Sequence, residues 1–240
     1  MYAQLTVAVV IPARNEEALI GTVVAELLAL SLVDQLVVCD NGSTDATAQQ
    51  AQAAGAQVVY QPQAGYGIAC LTALAALKPV DIIVFTDGDH SFKAGQIIGL
   101  LESIVQGNDL VIGSRRLGHI EAGALTLPQR WGNRLAGLFI YWLWGTRVTD
   151  LGPYRAIRAP VLSQLNMRDH TYGWTIEMQI KAIQQGVPIQ EVAVDTQKRR
   201  GGRSKVGGTV CGVIGASIGI LTMIAKLRWQ QRQQVLYQNQ

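Results

Sequence analysis

Cysteine is scarce in this chain: Cys39, Cys70 and Cys211 stand apart, with no C-x-x-C spacing. An odd, scattered set excludes a disulfide framework and a structural zinc site, and it suits a reducing compartment. Charge is sparse too, at 15% of residues with a net +3, which argues against a general nucleic-acid binder, so no nucleic-acid partner is expected. The first strand-like run is followed by PARNEE rather than G-x-G-x-x-G, and the nearest glycine pair, Gly65 and Gly67, follows a later run. A dinucleotide-dependent dehydrogenase is thereby excluded. The same place lacks the basic, glycine-rich loop expected of a sugar nucleotidyltransferase, which leaves that enzyme a weaker alternative. Internal repeats and low-complexity linkers are missing, so one continuous domain is expected.

What is present is apolar: 49% of the 240 residues are hydrophobic, enough for a sizeable core. The chain enters a strand-like LTVAVVIPA directly, without a basic region and with an apolar run too short for a secretory signal. The expectation is a cytoplasmic protein, working at the cytoplasmic face of the membrane. Residues 206–225 carry no charge but hold five glycines, between Lys205 and Lys226. That pattern predicts a helix packed on the domain or lying in a membrane interface rather than a span. Residues 1–208 are therefore read as the catalytic domain, and 209–240 as an apolar to amphipathic helix with a basic tail.

Strand-like runs alternate with helix-like segments through the first half: LTVAVVIPA, DQLVVCD, AQVVYQ, DIIVFTD and DLVIGSR, each of the first four followed by a helical stretch. The fold class predicted is α/β, a mainly parallel central sheet with helices on both faces. Ligands of such sheets bind beyond the carboxyl ends of the strands, and the polar clusters fall there. The second half reads as an aromatic helix, QRWGNRLAGLFIYWLWG, a helix ended by Gly186, and a further strand in PIQEVAVDTQ.

Asp87-Gly88-Asp89 ends the fourth run. If Asp87 and Asp89 continue the strand they share one face and repel, unless a cation sits between them. Two carboxylates and a permissive glycine suit a hard divalent ion that takes further ligands from water and a diphosphate. Read alone, this is equally a strand-end cap. Asp40 and Asn41 offer donors and acceptors for a base edge or a ribose hydroxyl, while Asp45 reads as a helix cap. Pro12–Glu16 alone reads as a turn with Asn15 as N-cap. RRGGRSK, from Arg199 to Lys205, combines cations with flexible backbone and suits a diphosphate as well as it suits solvent.

In order and spacing, VVIPARNEEALI, VVCDNGSTDAT, FTDGDHS, VIGSRRLG, TDLGPYRAI, YGWTIEM and RRGGRSK resemble family 2 glycosyltransferases, and most closely the dolichyl-phosphate mannose synthase type. The resemblance runs from about Val7 to Gly208. It implies a GT-A fold, a Rossmann-like nucleotide-binding half joined to an acceptor half. It also implies metal-dependent, inverting transfer of a hexose from a GDP- or UDP-sugar to polyprenyl phosphate or another lipid or metabolite acceptor, with peripheral membrane contact. Carried over by position, Pro12, Arg14, Glu16, Asp40, Asn41, Asp87, Gly88, Asp89, Arg115, Arg199 and Lys205 bind the nucleotide-sugar. Asp87, Asp89 and Ser91 hold Mg²⁺ or Mn²⁺, with His90 as a substitute for the weak Ser91. The subgroup commonly has Tyr where Arg14 stands, and Asp where Asn41 stands. Asp89 and Glu177 are the expected catalytic residues, with Asp150 behind Glu177 as a general base if the acceptor is a hydroxyl. Arg130, Arg134, Asp150 and Trp174 are expected on the acceptor side.

Overall fold

The apolar runs become strands because their side chains alternate between two buried faces. In this computed structural model, which describes residues 1–201 and 210–238, Val7, Val9 and Ile11 point into one core and Val10 into another. All of them are fully buried. Each such residue contributes roughly 1.5–3 kcal/mol relative to exposure, so this strand anchors both layers.

The elements follow in the order β1 (Val7–Ala13), α1 (Ile20–Ala29), β2 (Gln35–Asp40), α2 (Thr47–Ala53), β3 (Gln57–Tyr60), α3 (Tyr66–Ala75), β4 (Ile82–Phe85), α4 (Ile97–Val105) and β5 (Leu110–Ser114). The second half adds α5 (Leu127–Trp144), β6 (Arg155–Arg158), α6 (Ala159–Leu165), α7 (Trp174–Gln184), β7 (Ile189–Ala193) and α8 (Val210–Gln238). The seven strands form one sheet in the order β3-β2-β1-β4-β6-β5-β7. All pairings are parallel except those of β6, which runs antiparallel between β4 and β5. Helices α1 and α4 cover one face and α3, α6 and α7 the other. The mainly parallel α/β sheet expected from the sequence is therefore present.

Two local expectations are corrected. β4 stops at Phe85, so Asp87 and Asp89 lie in the following loop, and their proximity comes from a turn rather than from a shared strand face. Asn15 does not cap α1, which begins at Ile20; with φ +53° it instead accepts from the Thr44 backbone N–H and ties the first loop to the second.

Two elements escaped the sequence reading. β6 is only RAIR, and its Arg155 is fully buried, donating to the carbonyls of Leu151, Gly152 and Thr175. Burial pulls that guanidinium down to about 10. α6 follows it immediately, with Pro160 in its first turn.

α5 starts at a reciprocal Thr126–Gln129 capping box and ends at Gly145 in the left-handed conformation. α8 packs on α5 and α7 through Met223, Ile224 and Leu227. Among the described residues, no helix is long and apolar enough to cross a membrane.

Candidate active site

The loops after β1, β2, β4 and β5 converge at one edge of the sheet and open into a cleft of about 560 Å³. Parallel strands deliver their carboxyl ends together, so residues far apart in sequence meet there. Of the expected nucleotide-sugar and metal residues, Pro12, Arg14, Glu16, Asn41, Asp87, Gly88, Asp89, Ser91, Arg115 and Arg199 line the cleft. Asp40 is buried behind it and accepts from the Ser43 N–H. Lys205 lies outside the described residues.

The cleft floor concentrates negative charge. Burial first, then the neighbouring Asp89 carboxylate, raises the Asp87 carboxyl to about 7. Two carboxyls close enough to perturb each other suit a divalent cation, which would neutralise both. Asp89 is oriented by its own turn, its Oδ1 accepting from the Ser91 N–H at 3.0 Å. Among the described residues no group of three or more His, Cys, Asp or Glu side chains forms a metal cage. An ion held here would therefore take most of its ligands from a diphosphate and water, as Mg²⁺ does in phosphate-transfer sites. His90 does not join the pair: its ring faces Glu26, 3.0 Å away, on the far side of the loop.

Arg199 closes over this floor. Its Nε lies 3.3 Å from Asp89 Oδ2, and its Nη2 donates to Glu16. Its Nη1 is buried without a hydrogen-bond partner among the described residues. A buried guanidinium N–H without an acceptor among the described residues fits a phosphate oxygen.

Asn41 is committed elsewhere than expected. Its amide donates to the carbonyls of Gln61 and Gln63, at 3.0 and 2.6 Å, and its oxygen accepts from the Gly65 N–H at 2.8 Å. All the side chain's strong bonds thus clasp the 61–65 segment, so it shapes the cleft wall rather than presenting a free edge to a base. That wall leads into α3, whose first turn donates to the carbonyls of His170 and Thr171. The approach is so close that a Cβ at Gly67 would overlap the Asp169 carbonyl.

On the opposite wall Arg115 makes a bidentate pair with Asp150, Nε to Oδ2 at 2.8 Å and Nη2 to Oδ1 at 2.6 Å. Burial alone would raise the Asp150 carboxyl, but Arg115 overrides it and holds the group below its ordinary range. Asp150 also accepts from Asn133, and Glu191 fixes the backbone N–H groups of Thr149 and Asp150. Asp150 is thus a brace for Arg115 and does not line the cleft. Glu177 is buried and pairs with Lys181 at 2.7 Å while accepting from the N–H groups of Arg168 and Asp169. Trp174 is 1% exposed and packs edge-on against Phe85 in the core. Neither lines the cleft. Arg130 and Arg134 are exposed on α5, Arg134 over the Trp131 ring.

Sequence reasoning overlooked Tyr66, Thr126, Gln129 and Tyr172, which line the cleft, as does Lys198 of the basic cluster that suits phosphate groups. The T-x-x-Q signature of a helix start was legible ahead of α5 and would have placed Thr126 and Gln129 at a loop end. Tyr66 carried no signal, and Tyr172 only its place at the head of YGWTIEM.

Residues 8–165 match the family described as Glycosyl transferase family 2. An uncharacterized glycosyltransferase of Mycobacterium tuberculosis is 35% identical over 224 residues, 91% of this chain and 98% of that protein. The dolichyl-phosphate hexose transferase of Haloferax volcanii is 34% identical over 198 residues, 81% of this chain and 84% of that protein. Among solved structures, glucosyl-3-phosphoglycerate synthase from M. tuberculosis, in complex with Mn²⁺, UDP-glucose and phosphoglyceric acid, superposes with a TM-score of 0.74 at 26% identity. That likeness covers 93% of this chain and 81% of the other. The same enzyme has also been crystallised with Mg²⁺ and UDP.

Proposed function

The chain belongs to glycosyl transferase family 2 and has a GT-A type fold, and from that we propose that it is a metal-dependent, inverting hexosyltransferase. Its donor is a nucleoside-diphosphate sugar, and its acceptor an already ionised phosphate, polyprenyl phosphate first. The observation that supports this is the juxtaposition of Asp87, Asp89 and the half-satisfied Arg199 on the cleft floor.

Asp87 and Asp89, with Ser91 as a weak third group, would hold Mg²⁺ or Mn²⁺. When bound, such an ion supplies Lewis-acid stabilisation to the departing diphosphate. Arg199 turns from Asp89 and Glu16 toward the phosphate oxygens and lends charge as the bond to the sugar breaks. Arg115, kept rigid by Asp150, presents a second guanidinium to the same region. UDP-sugars are the first donors to test, because the solved relative was crystallised with UDP-glucose.

The acids at hand support an ionised acceptor. The carboxylates lining the cleft are Glu16, Asp87 and Asp89, all gathered on the donor side, and Glu16 is paired with Arg199. Asp150 and Glu177, the expected bases, do not line the cleft and are tied up in ion pairs, Asp150 behind Arg115 and Glu177 with Lys181. A hydroxyl acceptor needs a base within hydrogen-bond reach; a phosphate oxygen does not. The likeness to glucosyl-3-phosphoglycerate synthase favours a second reading, transfer to a hydroxyl of a phosphorylated metabolite. A lipid acceptor further calls for peripheral contact with the cytoplasmic face of a membrane.

Transfer from UDP- and GDP-hexoses, with Mn²⁺ or Mg²⁺, to polyprenyl phosphate and to 3-phosphoglycerate tests both readings. The expected result is metal-dependent transfer to the lipid phosphate with the anomeric configuration inverted, abolished by Asp89→Ala. Equal activity in EDTA, or retention of configuration, overturns the mechanism; transfer to 3-phosphoglycerate alone selects the second acceptor.

A further inference from the structure

α5 carries an apolar stripe that the core does not use. Leu127, Trp131, Leu135, Leu138 and Trp142 recur at helical spacing and are all exposed, Trp131 at 60% and Trp142 at 68%. The opposite side of the helix, with Ala136 and Ile140, is buried against its neighbours. α8 repeats the pattern: Met223, Ile224 and Leu227 pack inward, whereas Ile218, Leu221 and Trp229 are exposed. The two stripes adjoin. Leu221 and Trp229 meet Phe139 and Leu143 along an apolar groove of about 440 Å³, which Arg228 and Arg232 also line. Single exposed apolar side chains are ordinary; a continuous face across two helices marks a contact surface.

Charge identifies what it contacts. Residues 122–149 contain no Asp or Glu but three arginines, Arg130, Arg134 and Arg147. After Asp195 there is again no acid, and α8 carries Lys226, Arg228 and Arg232. A second copy of the chain would set these arginines against one another across a two-fold axis with no carboxylate to meet them. An anionic lipid surface offers phosphates to the arginines and a headgroup layer in which tryptophan rings settle. The face is also continuous with the cleft: Leu125, Thr126 and Gln129 at the start of α5 line it, as does Tyr172, which sits beside Gly219 of α8.

We propose that the α5/α8 face seats the protein on an anionic bilayer, with Trp131, Trp142 and Trp229 at headgroup level and the arginines on lipid phosphates. The cleft mouth then opens beside the lipid. This deepens the membrane contact proposed above by naming its surface, and it does not depend on the sugar chemistry.

Flotation of the full chain with vesicles of phosphatidylcholine, alone or mixed with phosphatidylglycerol, tests it. Binding should require the anionic lipid and fall with added salt. It should drop by about fivefold or more for each of Arg147→Glu and Arg232→Glu, both exposed charges whose replacement leaves the core untouched. Trp142→Ser with Trp229→Ser should abolish it. Asp89→Ala, which removes transfer, should bind vesicles like the wild type, so this test is separate from that of catalysis. Absent or lipid-indifferent binding overturns the proposal, as does binding unchanged in the two arginine variants. A concentration-dependent dimer that the tryptophan variants dissolve, without vesicle binding, would assign the face to self-association instead.

Discussion

Arg199 reaches Asp89 and Glu16 at once, with its Nε 3.3 Å from Asp89 Oδ2 and its Nη2 donating to the Glu16 carboxylate. The guanidinium thus sets positive charge against two carboxylates of the cleft floor. Its Nη1 takes part in neither contact, which leaves one donor for the proposed diphosphate.

Removing that cation should split two affinities in opposite directions. Arg199→Gln is expected to tighten Mn²⁺ binding to the free protein and to weaken UDP binding in the presence of Mn²⁺. Each change should be about tenfold, the scale of one or two charge-assisted hydrogen bonds. Titration calorimetry reads both, and a shift of the two in the same sense would remove Arg199 from the diphosphate.

Asp87 gives the metal-free protein a pH dependence of definite sign. Its folded value of about 7 lies above the ordinary 3.8, so between these values the folded state binds more protons than the unfolded chain. Its contribution to stability is present below the ordinary value and lost as pH rises through about 7. In EDTA the Tm should therefore fall more steeply between about pH 5 and about pH 8 for the wild type than for Asp87→Asn. Parallel profiles would mean that Asp87 is not perturbed.

Asn41 should behave as a structural clasp. Asn41→Ala removes three bonds to the 61–65 segment and should cost about 1–3 kcal/mol in urea unfolding. Asn41→Asp turns a carboxylate toward the carbonyls of Gln61 and Gln63 and should cost more. Unchanged stability with lost nucleotide binding would return Asn41 to base recognition.

Gly67→Ala tests the contact between α3 and the 169–171 segment. The added methyl must displace the Asp169 backbone, so a loss of several kcal/mol is expected, on the order of a severe core defect. A denaturation midpoint like that of the wild type would show that the contact is loose.

Strands β1, β2, β4 and β5 were legible because each is an apolar run buried on both faces, which is what a parallel sheet demands of its sequence, whereas β3, a half-exposed edge strand, was legible from its short β-branched run QVVY between turn residues. β6 was not, since RAIR offers two arginines in four residues, and its Arg155 is buried only because three carbonyls surround it. The carboxylates of the site could be found because they follow apolar runs. The engagement of Asn41 could not, because its partners lie 20 to 24 residues away on another loop. Glu177 misled for a related reason: its Lys181 partner stands one helical turn on, a spacing that marks an ion pair as readily as a catalytic acid.

The antiparallel strand has a consequence for how such a molecule can be divided. β6 comes from the second half of the chain yet lies between β4 and β5 of the first, and the turn before it carries the Asp150 that braces Arg115. A cut between β5 and β6 removes the strand that joins β4 to β5 and leaves neither side a continuous sheet. Such a cut also strips Arg115 of the Asp150 that braces it in the cleft wall, so neither fragment should survive as a free-standing module.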